Sequence, residues 1–142
     1  MNIIWKSASN GQIPEGAISV GSESNGVPLF LCRAKSGEGQ HPGKVRLRFG
    51  AANIGWSGLE IKVKDYEVYC GGAKWVKASD GNIPDGAIVV GNEPGGAPLF
   101  AARAEFAQGL HPGKIRREFK GALIPWGNQE HLIKEYEVLV EK

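Results

Sequence analysis

Two acid–lysine pairs stand at matching places in the chain, and their chemistry suits a ligand rich in hydroxyl groups. Glu23 and Lys44 lie 70 positions before Glu93 and Lys114. A carboxylate accepts hydrogen bonds from two neighbouring hydroxyls, and an ammonium donates up to three. Hydrogen bonds to charged groups are the stronger kind, so one Glu and one Lys on fixed elements can grip a pair of hydroxyls of a polyol such as a sugar. The pairs are therefore candidate ligand contacts, and the alternative reading is that they are ordinary solvated loop residues.

Other site chemistries find little support in the residue types. Three histidines are present, but no HxH, HExxH or Cys–His spacing, so no metal site is predicted. No GxSxG motif occurs, and the glycine-rich stretches lack the strand–loop–helix context of a phosphate loop. The net charge of +2 comes from dispersed basic residues, which gives no reason to expect a nucleic-acid partner. We expect a protein that is not an enzyme and uses no cofactor.

The pairs recur because the chain is an internal duplication. Residues 5–70, the first copy, align without a gap to residues 75–140, the second copy, and half of the positions are identical. Two copies are too few for a solenoid and favour pseudo-twofold symmetry instead. We place one repeat at 1–72 and the other at 73–142, packed as one compact unit. Other polar residues shared by both copies are further candidates for chemistry: Arg33 and Arg103, Arg46 and Arg116, His41 and His111, Glu60 and Glu130, Lys64 and Lys134, Glu67 and Glu137.

The elements that must position these residues are predicted to be strands. Short apolar runs between glycine and proline turns are typical of an all-β fold, and no window predicts a helix of useful length. Residues 44–49 alternate between apolar and basic side chains, as a strand with one buried face does. Residues 41–44, His-Pro-Gly-Lys, match a type II turn, because glycine at its third position accepts a positive φ. The lysine would then follow a rigid turn.

The N-terminal segment carries no sign of secretion. MNIIWKSASNG has no long apolar region and no small-residue cleavage site, so no signal peptide is predicted. No stretch of the sequence approaches the length of a membrane span. We expect a cytoplasmic protein without membrane insertion, and non-classical export stays open.

The ordered motifs resemble those of the DM-nine repeat family. Each copy carries W…G-x-I-P-[DE]-x-A-I-x-x-G, then L-F-x-x-R-A, then P-G-K, then Y-E-V. The match covers nearly the whole chain, and two tandem repeats with little else look like the mannose-binding lectins of this family found in invertebrates. In the first copy the motif residues are Trp5, Gly11, Ile13, Pro14, Ala17, Ile18, Gly21, Leu29, Phe30, Arg33, Ala34, Pro42, Gly43, Lys44, Tyr66, Glu67 and Val68.

The resemblance implies a fold, a function and four site residues. It implies two intertwined antiparallel β repeats related by a pseudo-twofold axis, assembled as a homodimer. It implies a lectin for mannose or mannose-containing glycans, acting in innate immune recognition. The sugar-contact roles fall on Glu23 and Lys44 and on Glu93 and Lys114, with glutamate where the family lectins carry the shorter aspartate.

Two alternatives stay open at this point. One is a cytosolic protein-interaction or structural module without sugar affinity. The other concerns geometry: a six-residue strand spans ~20 Å, so Glu23 and Lys44 lie at opposite ends of a simple meander. The two residues meet only if the segment 35–40 turns back or the copies exchange strands. The sequence therefore leaves undecided whether Glu23 pairs with Lys44 or with Lys114.

Overall fold

The computed structural model of the protein describes residues 3–72 and 74–141. Over these residues the chain forms strands and no helix, which confirms the all-β prediction, and we find no helix with the length and hydrophobicity that a membrane span requires. In chain order the described strands are β1 (Trp5–Ser9), β2 (Gly21–Ser22), β3 (Pro28–Ser36), β4 (Gly39–Val45), β5 (Ala52–Trp56), β6 (Leu59–Val63), β7 (Asp65–Tyr69), β8 (Lys74–Ser79), β9 (Val89–Asn92), β10 (Pro98–Phe106), β11 (Gly109–Ile115), β12 (Ala122–Trp126), β13 (Gln129–Ile133) and β14 (Glu135–Val140).

The two copies are intertwined within one antiparallel sheet. Its order is β1-β7-β3-β2-β11-β12-β13-β6-β5-β4-β9-β10-β14-β8. Strand β2 of the first copy pairs with β11 of the second, with Ser22 opposite Leu110, and β9 pairs with β4, with Asn92 opposite Gln40. The order reads the same from either end once each strand is replaced by its counterpart in the other copy. The predicted intertwining and pseudo-twofold symmetry are therefore confirmed.

The segment His-Pro-Gly-Lys lies inside β4 and again inside β11, so the predicted type II turn is wrong. Pro42 sits opposite Arg33 in β3, between the points where β4 pairs with β9, at Gln40, and with β5, at Gly43. A strand tolerates proline where no neighbour uses its missing N–H. Gly43 does not have a positive φ; a Cβ there would overlap the carbonyl oxygen of Asn53 in β5. Gly43 is needed because β5 approaches β4 too closely at this point to leave room for a side chain.

The chain reverses a few residues earlier than predicted. Strands β3 and β4 form a hairpin in which Ser36 lies opposite Gly39, and residues 37–38 form its two-residue turn. This reversal brings Lys44 back alongside Leu31. The strand predicted over 44–49 is wrong in extent, because β4 ends at Val45 and the chain turns through residues 46–49.

The hydrophobic core is divided into three clusters, and the middle one is shared by both copies. One cluster belongs to the first copy and contains Cys32, Val45, Ile54 and Val68; a second contains the equivalent side chains of the second copy. The shared cluster joins both halves through Val20, Leu31, Tyr69, Ile88, Val90, Ala101 and Leu139. Burial of this shared apolar surface, about 25 cal/mol per Å², ties the copies into one folding unit.

Candidate functional site

The lysines of the two copies are buried, and each is hydrogen-bonded to the histidine of the other copy. Lys44 and Lys114 are each only 2% exposed. Lys44 Nζ lies 3.0 Å from His111 Nδ1, and Lys114 Nζ lies 3.1 Å from His41 Nδ1. An ammonium only donates, so each Nδ1 accepts and each neutral ring carries its proton on Nε2. The repeated His-Pro-Gly-Lys segments therefore link the two copies side chain to side chain.

Each acid predicted from the sequence lies near the lysine of its own copy. Burial lowers the pKa of Lys44, and the nearby carboxylates of Glu60 and Glu23 oppose that shift. Burial likewise lowers the pKa of Lys114, opposed by neighbouring carboxylates that include Glu93. The β3–β4 hairpin and the exchange of strands both contribute to this arrangement. Glu23 and Lys44 therefore lie in the same region of the structure, and the ion-pair partner of Glu23 is Arg46, at 3.0 Å.

An open cavity of about 380 Å³ lies beside Lys44. Its volume is within the range of small-molecule sites, about 300–1,000 Å³. Both copies line it: the first through strands β4 to β6 and the loop after β2, and the second through the tip of the β12–β13 hairpin. The lining residues are Glu23, Lys44, Arg46, Arg48, Phe49, Asn53, Glu60, Lys62, Trp126, Gly127 and Asn128.

The groups in this cavity include donors, acceptors and an aromatic face. Arg46 Nε donates to Glu23 Oε2 at 3.0 Å, and the guanidinium lies 4.1 Å from the centre of the Phe49 ring, so the acid is held in place. Asn53 is 4% exposed, and its Oδ1 has no hydrogen-bond partner among the described residues. Trp126 is 40% exposed. A few fixed polar groups beside an aromatic ring are typical of a small-molecule site.

The matching region around Lys114 is arranged differently. Lys114 Nζ donates to the carbonyl oxygen of Gly55 at 2.7 Å and lies 3.5 Å from Glu130 Oε2. The side chains of that ion pair are 3% and 5% exposed. The other carboxylate oxygen of Glu130 accepts from the amide of Gly58 at 2.8 Å, at the tip of the β5–β6 hairpin. The protein itself therefore supplies the partners of Lys114.

Comparison with known proteins places the chain in a family. The model of the DM9 repeat matches residues 1–63 and 41–133. The chain belongs to the DM9 repeat family. The two matches overlap, so the repeat boundary between 72 and 73 stays a prediction.

Two known proteins resemble this DM9 protein over most of its length. Natterin-3 from Thalassophryne nattereri is 25% identical over 135 residues, which are 91% of this chain and 34% of Natterin-3. The crystal structure of the nematode sperm cell motility protein MFP2B superposes with a TM-score of 0.67 at 14% identity, covering 99% of this chain and 47% of that one. The chain thus spans about a third of Natterin-3 and about half of MFP2B. The structural likeness shows that the fold is shared.

Two further repeated arginines of the DM9 protein form ion pairs with the repeated glutamates of β7 and β14. Arg33 Nε donates to Glu67 at 2.8 Å, and Arg103 Nε donates to Glu137 at 2.8 Å. The Arg33 guanidinium also lies 4.1 Å from the centre of the Trp5 ring. These ion pairs line two wide grooves at equivalent places in the two copies. Their polar groups hold strands together, so the Lys44 cavity is the better candidate for a ligand.

Trp126 and Asn53 are among the members of the Lys44 cavity that sequence reasoning missed. Trp126 was visible as a tryptophan present in both copies, but nothing in the sequence placed it beside a lysine of the other copy. Asn53 gave no such signal, because leucine stands at the matching position 123. Choosing candidates by their presence in both copies finds the shared residues. It cannot find a residue, such as Asn53, that occurs in one copy only.

Proposed function

We propose that this DM9 protein is a lectin without enzymatic activity that recognises mannose or mannose-type glycans. The observation that carries the proposal is the cavity beside Lys44, where an ammonium, a carboxylate and an exposed tryptophan converge. Membership of the DM9 repeat family supports a lectin-like module. The biological setting that the sequence resemblance implies, innate immune recognition, is part of the proposal.

The charged groups of the cavity suit vicinal hydroxyls. Lys44 uses one of its three ammonium protons on His111, so two can be donated to sugar oxygens. Glu23 is oriented by Arg46 and can accept from a neighbouring hydroxyl. The exposed face of Trp126 can cover the apolar C–H face of a sugar ring. Because these groups are held by strands and by protein contacts, little ordering is required on binding.

Replacing Lys44 by methionine is expected to abolish retention on mannose–agarose. Methionine keeps much of the buried stem but removes the ammonium, and hydrogen bonds to a charged group contribute about 1.5–3 kcal/mol each. Affinity is therefore expected to fall by more than about 10-fold. Column retention and elution by free mannose measure the effect. Lys35→Met, at an exposed position of β3, is the control and is expected to be retained like the unmodified protein.

Two outcomes would contradict the proposal. One is failure of the unmodified protein to bind mannose–agarose or any mannose-type glycan on an array. The other is full retention of both Lys44→Met and Glu23→Gln. Thermal unfolding of each variant checks that the fold is intact. If no sugar is bound, the protein-interaction or structural module becomes the better hypothesis.

The homodimer implied by the resemblance is also a proposal. Linking weak sites in one assembly raises apparent affinity for a multivalent glycan by about 10²–10⁴. Sedimentation equilibrium is expected to give twice the chain mass of 15.2 kDa. A mass of one chain at micromolar concentration would exclude a stable dimer.

A further inference from the structure

We propose that the two copies of the site are not equivalent. The cavity beside Lys44 binds the sugar, with Asn53 as an additional ligand contact, and the region around Lys114 is closed by Glu130. This inference rests on the proposed sugar binding. Beyond the proposed function, the inference specifies which copy binds the sugar, how many sugar molecules each chain binds, and which further residue contributes to the affinity.

The first observation concerns the hydrogen bonds that each lysine makes. Within residues 3–72 and 74–141, Lys44 Nζ has one hydrogen bond, to His111. Lys114 Nζ has two, to His41 and to the carbonyl of Gly55, and also the ion pair with Glu130. Two of the three ammonium protons of Lys114 are therefore used in hydrogen bonds, and the charge also faces the Glu130 carboxylate at 3.5 Å. A sugar at Lys114 would first have to displace one of these partners.

A single sequence difference between the copies accounts for the closure. Glu130 crosses over Gly55, where a Cβ would overlap its Oε2. The matching position in the second copy is Pro125, which carries a side chain where Gly55 has none. Glu60, the counterpart of Glu130, accepts from the amide of Asn128 at 3.0 Å and makes no ion pair with Lys44 within the described residues. The Lys44 cavity therefore stays open.

The residue that lies opposite each lysine in the neighbouring strand also differs between the two copies. Asn53 in β5 lies opposite Lys44, and Leu123 in β12 lies opposite Lys114. Asn53 Oδ1 is buried without a hydrogen-bond partner among the described residues and its residue lines the cavity; on the Lys114 side the carboxylate oxygens Glu93 Oε1 and Glu130 Oε2 are likewise without one. A buried polar atom without a partner is costly, and native proteins satisfy nearly all of them. A ligand hydroxyl donating to Oδ1 would supply the missing partner, whereas Leu123 offers no polar atom.

The two tryptophans at the hairpin tips also lie differently. The Trp56 ring packs against His41, with centroids 5.1 Å apart, on the Lys114 side. The Trp126 ring packs instead against Phe106 and His131, at 5.6 Å and 6.1 Å. Those two aromatic partners have non-aromatic counterparts in the first copy, which are Ser36 and Ile61. Trp126 is thereby held away from the buried histidine and lines the open cavity.

Calorimetric titration of the full chain with methyl α-mannoside tests the inference. We expect one ligand per chain. Matched double variants are Lys44→Met with Glu60→Gln, and Lys114→Met with Glu130→Gln. In the second variant the glutamine avoids leaving a buried carboxylate without its cation, and in the first it keeps the two sets of changes equivalent. The first is expected to lose binding by more than about 10-fold, and the second to stay within about twofold of the unmodified protein. Two ligands per chain, or equal losses in both variants, would overturn the inference while leaving sugar binding intact.

A second pair of variants tests the role of Asn53. Asn53→Leu installs the residue that the second copy carries, and we expect about 10-fold weaker binding with unchanged stoichiometry. Leu123→Asn is the matched control and should add no second ligand, because Glu130 still closes that side. Binding by Asn53→Leu at full affinity would remove Asn53 from the site.

A measurement without sugar separates this inference from the proposed function. Nitrogen-15 spectra of the lysine ammonium groups are expected to show slow proton exchange with water for Lys114 and faster exchange for Lys44. If the chain binds no mannoside but shows this contrast, the proposed ligand is wrong and the inequality of the two copies stands. Equal exchange at the two lysines would overturn the inference whatever the ligand.

Discussion

Replacing Gly91 by alanine is expected to lower the free energy of unfolding by about 3 kcal/mol. Gly91 lies in β9 at the place where this strand of the second copy joins β4 of the first. A Cβ at Gly91 would overlap the backbone carbonyl oxygen of Gln40, which cannot rotate away as a side chain could. The two strands would have to separate, and one of the pairings that intertwine the copies would be lost.

The chain offers a symmetric test and a nearby control. Gly21 occupies the equivalent position in β2, where a Cβ would overlap the carbonyl oxygen of Leu110, so Gly21→Ala is expected to act similarly. Gly95 follows β9 in a loop, does not have a positive φ and has open space around it, so Gly95→Ala should leave stability unchanged or slightly raised. Urea unfolding followed by tryptophan fluorescence measures all three. Equal midpoints for Gly91→Ala and Gly95→Ala would refute the argument.

The fold was largely predictable because the duplication is explicit in the sequence. Two copies that align without a gap imply pseudo-twofold symmetry. Short segments in which apolar and polar residues alternate imply strands. The segment His-Pro-Gly-Lys shows where local reasoning fails. Proline followed by glycine is a turn signal on torsional grounds, yet Gly43 is required by β5, which crosses it and which the sequence does not place there. The conformation of this segment is therefore set by its contact with β5, which is distant in sequence, and not by the turn propensity of proline and glycine.

The site was predictable only in its symmetric part. Glu23 and Lys44 were found because they recur, and the structure brings them to one cavity. Residues that differ between the copies carry the proposed inequality of the two sites, and Gly55, which stands where the second copy has Pro125, is the clearest case. If one site per chain is open, duplication by itself provides no multivalency. Avidity for a branched glycan would then come from the proposed homodimer.

Lowering the pH from about 6.5 to about 4 is expected to destabilise the protein progressively. His41 and His111 are fully buried, and burial lowers the pKa of each from 6.5 to about 4. The charge of Lys114 adds to the shift of His41. The charge of Lys44 adds to the lowering of the pKa of His111, while the carboxylate of Glu23 opposes it.

The sign of the effect follows from which state binds more protons. In the unfolded chain each ring takes up a proton below pH 6.5, whereas in the folded protein it does so only below about 4. Between these values the unfolded state binds more protons, so stability rises with pH there and is complete above 6.5. A difference of one in pKa corresponds to about 1.4 kcal/mol, so each ring accounts for about 3 kcal/mol.

The loss has a structural cause in the contacts between the copies. A protonated ring carries hydrogen on both nitrogens, so Nδ1 of His111 can no longer accept from Lys44 and faces it as a second cation at 3.0 Å. The same holds for His41 and Lys114 at 3.1 Å. Acid therefore acts on the two side-chain contacts through which the His-Pro-Gly-Lys segments link the copies, and it loosens the anchor of Lys44 beside the cavity.

Urea unfolding at pH values from 4.5 to 7.5 measures the effect, and NMR titration of the imidazole signals measures the two pKa values directly. His111→Gln is expected to remove about half of the pH dependence, since only His41 would remain. His131→Gln is the control, because His131 is partly exposed, and it should keep the full dependence. A flat profile, or imidazole signals titrating near pH 6.5, would mean that the rings are not held neutral against the lysines. Mannose binding is expected to weaken over the same pH range, since an ammonium repelled by its histidine anchor no longer points reliably into the cavity.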